Sequence, residues 1–64
     1  MEKSRLAQAR EKLGWTQEKL AAKSGVARVH IASLENNPEA NPTKSTMKKI
    51  ATAIGMKAGD IFFT

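Results

Sequence analysis

The reactive side chains of this sequence are cations and amide donors, not nucleophiles. Lys3, Arg5, Arg10, Lys12, Lys19, Lys23, Arg28, Lys44, Lys48, Lys49 and Lys57 face six carboxylates, giving a formal charge of +5 and a pI near 10. So large an excess on 64 residues points to a polyanionic partner, with a merely solubilising surface as the alternative. The cations are scattered along the chain, so they belong to a folded surface and not to a tail. There is no cysteine and His30 is the only histidine, so neither a thiolate nor a His cluster can hold metal or attack a substrate. No carboxylates are paired, no base stands beside a nucleophile and no glycine-rich phosphate loop is present, which argues against an enzyme and against a cofactor.

Helices must position these groups, because no two-residue alternation of apolar and polar residues appears. Leu6, Ala9 and Leu13 fall at helical spacing and predict a helix from about Glu2 to Leu13, stopped by Gly14. Thr16 can cap a second helix that opens with Gln17, Glu18 and Lys19 and turns Leu20 and Ala21 inward. Ser24, Gly25 and Val26 break the pattern. A short helix then runs from Arg28 to about Glu35, burying Ile31 and Leu34 and leaving Arg28, Val29, Ala32 and Ser33 on faces the core does not need. The stretch Asn36 to Pro42 is rich in turn formers and reads as a loop. Thr43 can cap a fourth helix with Met47, Ile50, Ala51 and Ile54 on one stripe and Gly55 at its end. Ala58, Ile61 and Phe62 then cover the open end of the core, with Phe63 pointing elsewhere.

The second and third helices meet through a glycine turn with particular spacing. Counting from Gln17, the small Ala21 is fifth, Gly25 ninth, and Val26, Ile31 and Leu34 tenth, fifteenth and eighteenth. This satisfies the steric positions of a helix-turn-helix spanning 17–36. Leu13-Gly14-Trp15-Thr16-Gln17-Glu18-Lys19-Leu20-Ala21, Gly25-Val26 and Ile31-Ala32-Ser33-Leu34-Glu35-Asn36 together resemble the Cro and phage-repressor family, also called XRE-type. Pro42-Thr43, Met47, Ile50-Ala51 and Ala53-Ile54-Gly55 are similar to that family's fourth helix.

The resemblance implies an all-α, compact five-helix, lambda-repressor-like domain over residues 1–64. It implies sequence-specific binding of double-stranded DNA by a transcriptional regulator, a repressor in the first reading, as a homodimer on a palindromic operator. Gln17 would meet a phosphate at a helix N-terminus, where backbone N–H groups and the helix dipole favour anions. Thr16 and Asn36 would flank it, with Lys44 and Arg10 in support. Ala27, Arg28, Val29, Ala32 and Ser33 would approach base edges. Arg28 is the strongest candidate, since a guanidinium bonds both O6 and N7 of guanine.

Rival readings stay open: Arg28 as a solvated helix start, Val29 as a minor core residue, and Gln17 as a polar first-turn residue. His30 reads as a surface or phosphate-facing side chain, and Trp15 as a core or hinge cover. The resemblance also pairs Arg10 with Glu35, which would lock the reading helix to the scaffold; two independent surface charges are the alternative. Met56, Lys57, Phe62 and Phe63 lie where the family dimerises. There are two departures: Ala27 replaces the usual Ser or Thr cap, and Asn37 stands where glycine is common, a position that would want positive φ. A competing function is an antitoxin-like or co-regulator module that binds protein through its C-terminal apolar end. No apolar run is long enough to span a bilayer and the N-terminus lacks a signal-peptide stretch, so a cytoplasmic location in a bacterium or phage, at the nucleoid when bound, is expected.

Overall fold

The computed structural model describes residues 3–37 and 40–62. Five helices occupy them: α1 (Arg5–Lys12), α2 (Gln17–Ser24), α3 (Arg28–Asn36), α4 (Lys44–Ile54) and α5 (Ala58–Phe62). There is no strand among the described residues.

Local chemistry sets most of the boundaries. Ser4, Thr16 and Thr43 each sit in extended geometry with a side-chain oxygen accepting the N–H of Ala7, Lys19 and Thr46, which satisfies a donor the helix itself leaves unpaired. Gly25 and Gly55 end α2 and α4 at φ +78 and +84, a left-handed geometry that costs an L-residue about 1–2 kcal/mol. Thr16, Thr43, Gly25 and Gly55 act where their residue types predict.

The start of α1 differs from the predicted one. The helix begins at Arg5 because Ser4 caps it there; the expected first residue, Glu2, lies outside the described residues. Its end differs too. Leu13, at helical spacing from Leu6 and Ala9 and the expected last helical residue, is 46% exposed, because the helix stops at Lys12 and Leu13 has already become the C-cap. Ala7 is buried in α1 instead, and Trp15 packs against the core from the hinge. Asn37 adopts φ −110, so the anticipated demand for positive φ at that position does not arise.

The core consists of Leu6, Leu20, Val26, Ile31, Ile50, Ala51 and Ile61, with Leu34, Ile54, Ala58 and Phe62 packed on it. Leu20, Ile31 and Ile50 are fully enclosed, each contributing on the order of 1.5–3 kcal/mol by burial. The main helix contacts form a ring, α1 to α3 to α2 to α4 to α5 and back to α1. Consequently α3 lies on the rim with its outer face free, α5 lies across the ring from the α2–α3 corner, and α4 meets α3's neighbour α2.

Candidate nucleic-acid interface

Helix α3 is held from behind and open in front. Ile31 is fully buried and Leu34 half-buried, while Arg28 and Ser33 are exposed, Ala32 is half-buried and Val29 is 72% exposed. That exposure argues against Val29 as a core residue. An apolar side chain on the outer face of a helix whose inner face is anchored is available for contact with another molecule. Ala27 is exposed and supplies no side-chain cap, so the first turn of α3 rests on the buried Val26 just before it. His30 is exposed on the same helix.

Behind α3 stands an ion pair that fixes its angle. Arg10 of α1 donates from Nε to Glu35 Oε2 at 2.7 Å and from Nη2 to Oε1 at 3.0 Å. Its Nη1 donates to the carbonyl of Trp15 at 2.5 Å. The two side chains are only 11% and 3% exposed, so this is a bidentate, largely desolvated pair and not a surface contact. The hydrogen bond to Glu35 raises the Arg10 pKa above its ordinary value, outweighing the opposing effect of burial. Gln17 joins the group, its amide donating to Glu35 Oε1 at 3.1 Å. One carboxylate thus ties the end of α3 to α1 and to the first residue of α2.

This geometry bears directly on the expected phosphate contacts. Of the two roles read for Arg10, its guanidinium is committed to the ion pair, which leaves little of it for a phosphate. Gln17 and Asn36 open on the same hollow of about 500 Å³, whose lining also includes Lys3, Arg10 and Glu35. Gln17 is half-buried and spends one amide hydrogen on Glu35, so its second hydrogen and its backbone N–H are what it can offer an anion. Thr16 is exposed, although its hydroxyl oxygen is occupied in capping α2. Lys44 is exposed at the start of α4 and does not line that hollow.

At the other end, Met56 is 40% exposed, Lys57 is exposed and Phe62 is half-buried against the core. Phe63 lies outside the described residues. Among the described residues no group of His, Cys, Asp or Glu could hold a metal ion, and no helix is long and apolar enough to cross a membrane.

Sequence reasoning missed two features. The bond from Gln17 to Glu35 joins residues eighteen apart, and nothing in local spacing announces it. The Trp15 carbonyl as a second hydrogen-bond partner of Arg10 follows from the Gly14 turn (φ +74), which also brings the Trp15 N–H to the Arg10 carbonyl.

The fold and the anchored, outward-facing α3 define a helix-turn-helix domain. A family model described as helix-turn-helix matches residues 6–61, and the chain belongs to the XRE-type helix-turn-helix family, whose members bind DNA. It is 37% identical over 51 residues to the HTH-type transcriptional regulator SutR of Escherichia coli, covering 80% of this chain and 28% of that protein. It is 42% identical over 45 residues to the antitoxin HipB of Escherichia coli, covering 70% of this chain and 50% of that one. The chain therefore spans half or less of the length of these relatives. No solved structure gives a significant match.

Proposed function

We propose that this domain reads double-stranded DNA in the major groove as part of a transcriptional repressor, working as a homodimer on a palindromic operator. The observation that carries the reading is the exposed outer face of α3, buttressed from behind by the desolvated Arg10–Glu35 pair. A rigid helix presenting Arg28, Val29 and Ser33 matches what base readout needs, because hydrogen bonds to base edges discriminate only when the donor is held in register. Arg28 bonds a guanine, Ala27 and Val29 pack on thymine methyls, and Ala32 and Ser33 complete the contact surface. Gln17 and Asn36 set the height of the domain on the phosphates, with Thr16 and Lys44 beside them. One domain touches few bases, so two copies joined through Met56, Lys57, Phe62 and Phe63 would double the contacts with reading heads about 34 Å apart.

The test is selection from randomised duplexes with the intact protein and with Arg28→Ala. The expected result is an enriched palindrome, with preference relaxed at one guanine per half-site in the variant and a loss of about 1–3 kcal/mol there. Unchanged specificity in Arg28→Ala would show that the reading head lies elsewhere. Binding that ignores salt, instead of weakening by about 0.9 in log K per log unit of salt for each phosphate, would overturn DNA recognition altogether.

A second reading is favoured by the similarity to an antitoxin and by the exposed Met56: a partner protein docks on the C-terminal end while α3 holds DNA. Sedimentation of the protein alone and on operator separates it from the dimer. Two copies on each operator support the homodimer; one copy, free and bound, supports the partner reading.

A further inference from the structure

The flank built by α2 and α4 carries a charge pattern that the reading helix does not explain. Lys23, Lys48 and Lys49 surround a hollow of about 550 Å³ lined also by Ser24, Ser45 and Thr52. All three lysines are exposed, and no ion pair reaches them among the described residues. On the opposite flank, by contrast, Lys3 is paired with Glu11 and Arg10 with Glu35.

Helix α4 contains no acidic residue over Lys44–Ile54. It sets Lys44 and Lys48 four residues apart, a like-charge spacing that destabilises a helix. It also places Lys44 in its first turn, at the positive end of the helix dipole, where a cation is unfavourable. A helix that accumulates cations where they repel one another and oppose its own dipole is suited to an anion outside it.

We propose that this flank is a sequence-independent site for the phosphate backbone of the duplex beyond the half-site read by α3. The inference rests on the DNA reading of α3 given above. The patch is continuous with Lys44, the phosphate candidate at the start of α4, and climbs the helix through Lys48 and Lys49 to Lys23 at the end of α2. From Lys44 to Thr52 the helix rises about 12 Å, a length over which a duplex presents about seven phosphate charges. The three lysines supply charge at long reach, and the Ser45 and Thr52 hydroxyls can donate to phosphate oxygens. Because phosphates carry no base identity, this contact adds affinity without specificity.

Fluorescence anisotropy with the intact protein tests this, using the selected operator in two lengths: ending about two base pairs beyond each half-site, or extended by ten more. Wild type is compared with the triple variant Lys23→Gln, Lys48→Gln, Lys49→Gln, whose fold is checked by circular dichroism. The expected result is a wild-type slope of log K against log salt steeper on the long duplex by up to about 2.7, which is three phosphates. That is roughly fortyfold more affinity lost between about 50 and 200 mM salt. In the triple variant this difference between duplexes disappears, while the Arg28-dependent base preference remains.

Equal wild-type slopes on the two duplexes would overturn the flank site and leave the reading of α3 intact. Absence of binding to every duplex would overturn both. Polyglutamate is the counter-probe, titrated onto protein already saturated with the short duplex. Saturable binding that the triple variant loses, together with equal slopes on the two duplexes, would assign the flank to an acidic protein surface and refute the DNA proposal.

Discussion

Replacing Glu35 by alanine removes the acceptor of three donors at once: Arg10 Nε, Arg10 Nη2 and the Gln17 amide. What remains is a guanidinium in a site where its side chain is 11% exposed, with the Trp15 carbonyl as its surviving hydrogen-bond partner and the more exposed Glu11 carboxylate, 3.5 Å from Nη2, as its remaining ion-pair partner. Breaking a buried ion pair by removing one partner costs about 3–5 kcal/mol, and the surviving contact with Glu11 places the loss toward the lower end. The whole domain, at roughly 0.05–0.15 kcal/mol per residue, has only about 3–10 kcal/mol to lose. Glu35→Ala should therefore sit near the edge of unfolding, with a Tm lowered by some 12 °C or more at about 4–8 °C per kcal/mol for a chain of this size. Thermal and urea unfolding followed by far-ultraviolet circular dichroism measure this. Arg10→Met should cost a comparable amount, because it leaves the carboxylate buried with Gln17 alone. The double variant Arg10→Met, Glu35→Met should recover most of the loss, since well-packed apolar residues replace a buried ion pair at little net cost. If each single variant costs less than about 1 kcal/mol and the two effects add, the residues behave as independent surface charges. The anchoring of α3 would then need another explanation.

Other perturbations test the elements around that anchor. Ala27→Ser supplies the missing cap of α3 and should stabilise the domain by about 1 kcal/mol, raising Tm; an unchanged Tm would mean that the first turn is already satisfied. Gly25→Ala should destabilise by about 1–2 kcal/mol purely through its φ of +78, since the added Cβ meets nothing within 4 Å; a neutral result in urea unfolding would contradict the left-handed turn. The hydrogen bond from Lys3 holds the Glu11 carboxyl below its ordinary value of 4.5. Because this folded-state pKa is depressed, the stabilisation is present above the unfolded value and is lost as pH falls through the lower folded one. Lys3→Gln should thus flatten part of the acid limb of stability below about pH 4.5 and leave its pH dependence near neutrality unchanged; identical acid limbs for the two proteins would rule the link out. The Arg10 pKa is raised, so the stabilisation it reports is fully present through the neutral range and is lost only in strongly alkaline solution, as pH rises through the raised value. The Arg10 anchor is accordingly insensitive to deprotonation of the guanidinium across the neutral range.

Much of the architecture was legible before the fold was known, for reasons that are local. The caps at Thr16 and Thr43, the stops at Gly25 and Gly55 and the stripe Met47, Ile50, Ala51 and Ile54 each depend on residues within a turn or two, so spacing and side-chain type suffice to place them. Where local signals compete, residue type and spacing do not suffice. Leu13 lies on the same periodic stripe as Leu6, but the helix ends one residue before it, and periodicity carries no information about where a helix stops. At Asn37 glycine is common in the family, whereas this chain leaves α3 through extended geometry and needs no left-handed residue there.

What the amino-acid sequence by itself determined is the set of five helices, the glycine corner between α2 and α3, and the identity of the face that α3 leaves free. Tertiary structure decided how that face is held and which cations are available. Arg10 and Glu35 are twenty-five residues apart, and only packing of α1 against α3 excludes enough water to turn two charges into a bidentate anchor. The same packing draws Gln17 into the pair, while Lys23 comes beside Lys48 and Lys49 because α2 packs on α4. Desolvation and long-range proximity are properties of the assembled ring of helices, and no spacing rule along a single helix contains them.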